Sequence, residues 1–120
     1  MDHSARLQRE ANIWLATTRP DGRPHLVPVW FVWLDEQIYL LTTPATVKAK
    51  NLLANPRASV ALENGSQPVI AECLARSVDA PYSPELTQAF QLKYDWDINQ
   101  DGEYSSMFAL TPYKWLSWNA

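Results

Sequence analysis

Glycine is scarce in this chain, which has only Gly22, Gly65 and Gly102 among its 120 residues. Phosphate loops of the Walker and dinucleotide types need several closely spaced glycines, which let the backbone approach the phosphate. The sequence therefore excludes a glycine-rich phosphate loop. If the protein binds a phosphate, then hydroxyl groups, a helix N-terminus or basic side chains must hold it.

Cysteine and long apolar runs are also nearly absent. The single cysteine, Cys73, has no partner for an internal disulfide, and its apolar segment predicts a small buried side chain rather than a nucleophile. The longest apolar run, Leu26 to Leu34, contains Pro28 and is too short to cross a bilayer as a helix. Residues 1–10 are polar, where a signal peptide would be apolar. We expect a cytoplasmic protein without a membrane span.

An excess of positive charge is missing as well. The 10 lysines and arginines are outnumbered by 13 aspartates and glutamates, which gives a formal net charge of -3, and no segment concentrates the basic residues. Proteins that bind nucleic acid normally carry a basic surface that neutralises phosphates. We therefore exclude nucleic acid as a partner.

One acidic segment is similar to part of a calcium loop. Residues 97–102, Asp-Ile-Asn-Gln-Asp-Gly, match the first six positions of an EF-hand loop, including the glycine at the sharp turn. The twelfth position, which should supply a bidentate glutamate, is Phe108 and falls in a predicted strand. We interpret the segment as an ordinary acidic loop and predict no metal site.

Aromatic residues, in contrast, are abundant, with six tryptophans and five tyrosines. Core packing accounts for most of them. Trp96, Trp115 and Trp118 lie near loops or near the chain end, where a monomer would leave such rings partly in water. Large rings in such places favour a subunit interface that can also close over a ligand.

The predicted helices are short and begin at recognisable caps. The first runs from a cap at Asp2 or Ser4 to about Asn12. A second is predicted from Thr46 to Asn55, where Asn-Pro ends it. In the third, Ser83 is the cap and Pro84 the first helical residue, and the helix ends near Tyr94.

The predicted strands fill the rest of the chain. β-favouring residues predict strands over 13–18, 24–34, 38–42, 57–63 and 68–78, and one or two more over 104–118. Turns at Pro20-Asp21-Gly22, at residues 35–37 and at Asn64-Gly65 join neighbouring strands, so their pairing is antiparallel. Six or seven such strands close into a small barrel, because closure removes the exposed edges.

The segment after the third predicted strand offers a site for a phosphate. It reads Leu-Thr-Thr-Pro-Ala-Thr-Val-Lys-Ala-Lys-Asn over residues 41–51. Hydroxyls at the strand end precede a helix N-terminus with free N–H groups and a lysine in the first turn. The same residues also fit a plain helix cap with a solvated lysine, so the segment alone leaves both interpretations open.

The ordered series of segments resembles the pyridoxamine-phosphate-oxidase-like split barrels, a superfamily of small flavin-binding and deazaflavin-binding homodimers. The likeness is closest over residues 14–78, in LATTRPDGRPHLVPVWF, IYLLTTPATVKAKNL and NPRASVAL, and continues more loosely from KYDW to WLSW. It implies a mainly β fold, a six- or seven-stranded antiparallel split barrel with short helices, as one domain over residues 1–120. It also implies a homodimer with FMN at the subunit interface, or a deazaflavin coenzyme in its place.

The resemblance assigns cofactor contacts to Pro28, Val29, Trp30, Phe31, Leu41, Thr42, Thr43, Thr46, Lys48 and Lys50. The first four would meet the isoalloxazine ring and ribityl chain through their backbone. The next three would line the neighbouring strand, and the last three would hold the phosphate, with Lys50 as an additional candidate. No catalytic residue is assigned, since no Ser-His-Asp or Cys-His arrangement is indicated and His25 is expected at the surface or rim. A flavin holds the transferred electrons itself.

Two departures from the family pattern restrict the function. Members that oxidise pyridoxamine phosphate carry basic residues on the second strand and an arginine-rich motif near the C-terminus. Residues 27–32 are uncharged here, and residues 111–118 contain no arginine. The resemblance therefore implies an FMN-dependent oxidoreductase acting on an unidentified small molecule, and not a true pyridoxamine phosphate oxidase. A reductase using a deazaflavin of the F420 type, a non-catalytic flavin or haem carrier or sensor, and a bare interaction module stay open as alternatives.

Overall fold

A computed structural model describes residues 3–118 of the chain. Its elements follow one another as α1 (Ser4–Arg9), β1 (Ile13–Thr18), β2 (Pro24–Val29), β3 (Val32–Leu34), β4 (Gln37–Thr42), α2 (Val47–Ala54), β5 (Arg57–Leu62), β6 (Val69–Val78), α3 (Pro84–Tyr94), a 3-10 turn (Ile98–Gln100) and β7 (Ser106–Ser117). The strands form one antiparallel sheet in the order β2-β1-β5-β6-β7-β4-β3. The expected mainly β fold with seven antiparallel strands is confirmed. None of the helices within residues 3–118 has the length and apolar character of a membrane span.

The two edge strands of the sheet, β2 and β3, are consecutive in the chain and are separated only by Trp30 and Phe31. In a flat sheet of this size the edges would lie about 29 Å apart, since neighbouring strands are spaced by about 4.8 Å. The Cα atoms of Val29 and Val32 are three peptide units apart, which allows at most about 11 Å between them. The sheet must therefore curl until its edges approach each other, and the barrel is split at this crossover.

The prediction of one continuous strand over residues 24–34 is wrong at the crossover. Pro24–Val29 pairs with β1, whereas Val32–Leu34 pairs with β4 on the other edge of the sheet. The backbone N–H of Phe31 donates to the Tyr94 hydroxyl instead of to a neighbouring strand. A tertiary contact with α3 thus interrupts a run whose residues all favour an extended backbone.

The predicted helices are confirmed, with changes at their ends. Thr46 caps α2 by accepting the N–H of Ala49 at 3.4 Å, and Ser83 caps α3 by accepting the N–H of Leu86 at 3.2 Å. The first helix is shorter than predicted, since α1 ends at Arg9 and its N-cap is His3 rather than Ser4. The alternative cap at Asp2 lies outside the described residues.

The first predicted turn has the chemistry expected of it. Gly22 has a φ of 91°, its N–H donates to the Arg19 carbonyl at 2.8 Å, and Asp21 accepts the N–H of Arg23 at 3.1 Å. The connection at the predicted Asn64-Gly65 turn is longer than expected, because residues 63–68 separate β5 from β6, whereas the predicted strands leave only residues 64–67 between them. The Asn64 side chain bonds to the N–H groups of residues 66 and 67, which opens the turn into a wider loop.

The last predicted segment forms the single strand β7. Pro112 lies inside it, where a ladder N–H is missing. The register against β6 shifts between Glu72 and Cys73, opposite Pro112, and such a bulge accommodates a proline. β7 can therefore continue to Ser117 and pair along the whole length of β6.

Two hydrophobic clusters lie on the two sides of the curled sheet. Ile38 and Leu40 of β4 belong to the barrel interior, as does Cys73, whose burial raises the pKa of its thiol to about 12. Cys73 is the small buried side chain that the sequence predicts. Tyr39 and Leu41 point to the other side, where α3 covers them. This packing brings the C-terminal end of α3 against the crossover between β2 and β3.

Candidate functional site

A cavity of about 550 Å³ lies beside the crossover, between the end of β2, the first turn of α2 and the end of α3. It is lined by Pro28, Val29, Trp30, Leu41, Lys48, Tyr94, Asp95, Trp96, Asp101 and Tyr104. Cavities that hold small molecules or cofactors usually measure about 300–1,000 Å³ and combine apolar walls with a few polar groups. This cavity fits both criteria.

The cavity brings together five of the residues that the sequence assigns to a cofactor: Pro28, Val29, Trp30, Leu41 and Lys48. They come from β2, the crossover, β4 and α2, so only the closure of the barrel makes them neighbours. Their proximity is what a shared ligand would require. That they contact a cofactor stays a prediction.

Three predicted threonines shape the start of α2 behind this wall. The hydroxyls of Thr42 and Thr46 lie 3.2 Å apart, and the Thr46 hydroxyl donates to the Thr43 carbonyl at 2.9 Å. Thr46 is also the cap of α2. These threonines therefore hold the helix N-terminus in position, while Lys48 extends from its first turn into the cavity.

Phe31 and Lys50 lie outside the cavity. The Phe31 side chain is fully buried, and its backbone N–H and carbonyl bond to Tyr94 and Lys93 at 2.9 Å each. Lys50 is exposed and lies in a second cavity of about 410 Å³, beside Arg19 in the turn between β1 and β2. A role for either residue in cofactor binding stays a prediction.

The sequence did not predict most of the wall that faces β2. Trp96 is singled out by its position near a loop and Asp101 by the calcium-like segment, but no sequence motif assigns Tyr94, Asp95 or Tyr104 to a site. The available signal is the KYDW segment, which places aromatic residues at the end of a predicted helix. We call Trp30, Tyr94, Trp96 and Tyr104 the aromatic end of the cavity.

The rings of the aromatic end contact one another directly. Trp30 stacks on Tyr94, with centroids 4.4 Å apart and planes inclined by 7°. Trp96 stands edge-on to Trp30 at 6.1 Å and to Tyr104 at 5.4 Å. Both geometries are favourable for aromatic pairs. Trp30 nevertheless stays 50% exposed, so part of this residue is accessible to a ligand in the cavity.

The Asp101 carboxylate fixes the loop that carries Trp96. It accepts the N–H groups of Glu103 and Tyr104 at 3.0 Å each and the Trp96 indole N–H at 3.1 Å. The bonds from Tyr104, Glu103 and Trp96 lower the pKa of Asp101. This aspartate belongs to the calcium-like segment, so its oxygens serve the hydrogen bonds of the loop. No group of three or more metal-ligating side chains occurs within residues 3–118.

Two residues at the end of α3 hold the crossover in place. The Tyr94 hydroxyl accepts the Phe31 N–H at 2.9 Å and lies 2.7 Å from the Ala11 carbonyl oxygen. Lys93 donates from Nζ to the Phe31 carbonyl at 2.9 Å and lies 3.8 Å from the centroid of the Phe31 ring. Burial lowers the pKa of Lys93 to about 8, against an opposing effect of Glu10. These contacts set the position of Trp30, the preceding residue.

We call the part of the cavity wall that Lys48 of α2 forms its basic end, since Lys48 is the one basic residue of the lining. Burial lowers the pKa of Lys48, because desolvation disfavours the charged form. Lys48 forms no ion pair within residues 3–118. Lys48 is the second residue of α2, whose first N–H groups lack intrahelical partners. An anionic group at this position would compensate a positive charge that the protein leaves unpaired.

A family model described as pyridoxamine 5'-phosphate oxidase matches residues 2–119. The chain belongs to this family. The match of the pyridoxamine 5'-phosphate oxidase model covers almost the whole length of the chain. It agrees with the family resemblance that the sequence shows most closely over residues 14–78. A search of curated proteins found no relative.

Solved structures share the fold of this pyridoxamine 5'-phosphate oxidase family member. HutZ, a heme storage protein from Vibrio cholerae, is 20% identical with a TM-score of 0.80, and the match covers 92% of this chain and 87% of HutZ. An F420 reductase is 21% identical with a TM-score of 0.78 and 97% coverage of both chains. A FAD-binding protein from Mesorhizobium loti is 20% identical with a TM-score of 0.68, covering 94% of this chain and 89% of its own. At these identities the comparison shows the shared fold alone.

Proposed function

We propose that the protein is an FMN-dependent oxidoreductase that acts on a small organic molecule. The observation that carries the proposal is one cavity with an aromatic end and a basic end, in a chain of the pyridoxamine 5'-phosphate oxidase family. The half-exposed Trp30 and its aromatic neighbours suit a flat isoalloxazine ring, and Lys48 with the N-terminus of α2 suits a phosphate. When bound, FMN supplies two-electron chemistry, in which a hydride taken from an organic donor is passed to a small-molecule acceptor.

The protein contributes binding and orientation to this chemistry. Tyr94 holds Trp30 by stacking, and Asp101 holds Trp96 through its indole N–H. Both tryptophans are therefore oriented before a ligand arrives, which lowers the entropic cost of binding. The aromatic walls also exclude water from the ring of a bound cofactor.

The charges of the cavity support a substrate other than pyridoxamine phosphate. Lys48 is the one basic side chain among the residues that line it, and Asp95 and Asp101 are acidic. A phosphorylated substrate would bring a second phosphate beside that of FMN, with no cation to receive it. This agrees with the uncharged sequence of residues 27–32. We therefore expect a substrate that carries no phosphate.

A homodimer is part of the proposal. Directly paired residues place an apolar row across five strands on the outer face of the sheet: Pro28, Trp14, Ala61, Ile70 and Leu116. Trp14 and Leu116 are 38% and 40% exposed, and contiguous apolar surface of this kind favours burial against a partner. Pro28 belongs both to this row and to the cavity wall, so a second copy seated on the row would reach the cavity.

Light scattering at micromolar concentration tests the dimer. We expect twice the chain mass of 13.7 kDa. Trp14→Arg should give a monomer, because it places a charge in the centre of the apolar row. Leu92→Arg, at an exposed position of α3 away from the row, is the matched control and should leave the dimer intact. A monomeric wild type would contradict the proposed interface.

Absorption spectra and anaerobic reduction test the activity. The purified protein, or protein titrated with FMN, should show the spectrum of a bound flavin, which a dihydronicotinamide donor should bleach without oxygen. A bound deazaflavin or haem would give a different spectrum and would replace FMN in the proposal. Bound flavin that no donor reduces would indicate a carrier or sensor. If the protein binds neither FMN nor a deazaflavin nor haem, the proposed function is wrong.

A further inference from the structure

Two carboxylates lie among the rings at the aromatic end of the cavity. Asp95 and Asp101 line the cavity together with those four rings. Hydrogen bonds, first of all that from the Tyr104 N–H, lower the pKa of Asp101, so it stays ionised at neutral pH. Within the described part of the chain, neither aspartate forms an ion pair. The rings are therefore next to negative charge that the protein does not neutralise.

Both carboxylates are close to Trp96. Asp95 precedes Trp96 in the chain, and its Oδ1 accepts a hydrogen bond from Gln91 Nε2 at 2.8 Å, which holds it at the end of α3. Asp101 accepts the indole N–H of Trp96 at 3.1 Å. A negative charge at the indole nitrogen adds to the attraction that the ring itself exerts on cations. The surroundings of Trp96 thus favour a positively charged group over a neutral one.

The rings of the aromatic end stand nearly at right angles. The plane of Trp96 is inclined by 74° to that of Trp30 and by 84° to that of Tyr104. Walls at such angles can surround a small group on more than one side, as in the aromatic cages that bind quaternary ammonium groups. Trp30 and Tyr104 are 50% and 42% exposed, so a ligand can reach them. Tyr94 contributes less, because Lys93 Nζ already lies 5.4 Å from the centroid of its ring.

The charge of the whole cavity has the same sign. Lys48 is the one basic residue of the lining, against two acidic residues, and it forms no ion pair with either. A cofactor phosphate bound at Lys48 would add further negative charge. A cation at the other end of the cavity would then be favoured still more.

We propose that the aromatic end binds the ammonium group of an organic cation, quaternary or protonated, against Trp96 and Tyr104 and beside the carboxylates of Asp95 and Asp101. The inference rests on the proposed function in taking this cation to be the substrate of the flavin. Binding of the cation itself requires no flavin.

Two probes of the same shape test the role of the charge. One is choline, and the other is its neutral carbon analogue, in which a tert-butyl group replaces the trimethylammonium group. The NMR signal of the Trp96 indole N–H, identified by its loss in Trp96→Phe, reports binding to the wild-type protein. We expect choline to shift this signal and to bind about fivefold more tightly than the analogue, or better. Equal affinities, or no shift with choline, overturn the inference.

Asp95→Asn tests the carboxylate. Asparagine suits the left-handed backbone of residue 95, which has a φ of 53°, and its side-chain oxygen can still accept from Gln91. The variant should bind choline about two- to fivefold more weakly and the analogue as before.

Glu85→Gln is the matched control. It also removes one negative charge from α3, but about 15 Å from residue 95, beyond the range of screened charges. This variant should bind choline like the wild type. Equal losses in Asp95→Asn and Glu85→Gln would show that net charge attracts choline, and the proposed site would be wrong.

Tyr104→Leu tests the ring. Leucine keeps an apolar side chain at this position but lacks the negative face of an aromatic ring. The variant should lose affinity for choline and little for the neutral analogue. The same loss for both probes would show that Tyr104 supplies contact area alone, which contradicts the proposed recognition of charge.

Repeating the titrations with FMN separates this inference from the proposed function. If choline shifts the Trp96 signal but no flavin binds, the cation site stands and the FMN-dependent activity fails. If FMN binds and choline does not, the cofactor assignment stands and the cation site fails. If FMN displaces choline, the aromatic end belongs to the cofactor and the cation is not its substrate. Thermal unfolding of the variants controls for general damage, and the two probes on wild type stay decisive if a variant does not fold.

Discussion

The two ends of the cavity are built in opposite ways. At the aromatic end, the Tyr94 hydroxyl and the Trp96 indole both have partners, and the rings stack or meet edge to face. At the basic end, Lys48 forms no ion pair within residues 3–118. A region with completed contacts is organised before a ligand arrives, whereas a region with unpaired charge gains most from one. Shape should therefore govern recognition of a ring, and charge should govern recognition of a phosphate.

The largest expected effect is a loss of stability on substitution of Phe90, which packs against the aromatic end. Phe90 is fully buried and meets the Trp96 ring edge-on at 5.6 Å. Phe90→Ala should lower the free energy of unfolding by about 3–5 kcal/mol, since it leaves a cavity under the rings. Urea unfolding measures this loss. Leu92→Ala, at a position of the same helix that is 78% exposed, is the control and should change stability little. A loss for Phe90→Ala as small as that of the control would contradict the packing.

At the basic end, Lys48→Ala should weaken FMN binding by roughly ten- to a hundredfold, because a charge-assisted hydrogen bond contributes about 1.5–3 kcal/mol. Riboflavin should bind to both proteins alike. Fluorescence titration with both flavins measures the contrast. Lys50→Ala changes the same residue type on the same helix, but outside the cavity, and should have a smaller effect. Equal FMN affinity of wild type and Lys48→Ala would return Lys48 to a solvated helix face.

Tyr94→Phe tests whether the aromatic end depends on the crossover. The change keeps the ring that stacks on Trp30 but leaves the Phe31 N–H without its partner. We expect a loss of about 1–2 kcal/mol in the free energy of unfolding, the cost of an unsatisfied buried donor. FMN and riboflavin should lose affinity equally, in contrast to Lys48→Ala. A loss of affinity for FMN alone would show that the two ends of the cavity are not independent.

The smallest effect is a pH dependence caused by Lys93. Its pKa in the folded protein is about 8, below its ordinary value of 10.5. Between these values the unfolded chain holds a proton that the folded protein has lost, so Lys93 makes stability rise with pH from about 8. Lys93→Met removes this contribution. The stability of wild type relative to the variant, measured by urea unfolding, should therefore increase between pH 8 and pH 9. A constant difference would indicate an unperturbed lysine.

Local chemistry made much of the fold predictable from the sequence. Thr46 and Ser83 cap their helices because their hydroxyls can reach the first free N–H groups, whatever the rest of the chain does. Gly22 makes its turn because it accepts a positive φ without a steric cost. The lysine after the Thr46 cap likewise has to lie in the first turn of α2. The family resemblance, rather than this local chemistry, assigned the β2, β4 and α2 segments to the candidate site.

Only the tertiary structure decided where the predicted strand over residues 24–34 is interrupted and which residues line the cavity. Trp30 and Phe31 are residue types that favour strands, yet they lie between β2 and β3 and belong to neither. The interruption arises from a hydrogen bond between Phe31 and Tyr94, which lies 63 residues further along the chain. The opposing wall of the cavity likewise depends on α3 packing against distant strands. Sequence patterns report the conformation of neighbouring residues. Contacts between remote segments depend on how the sheet closes, which no local pattern encodes.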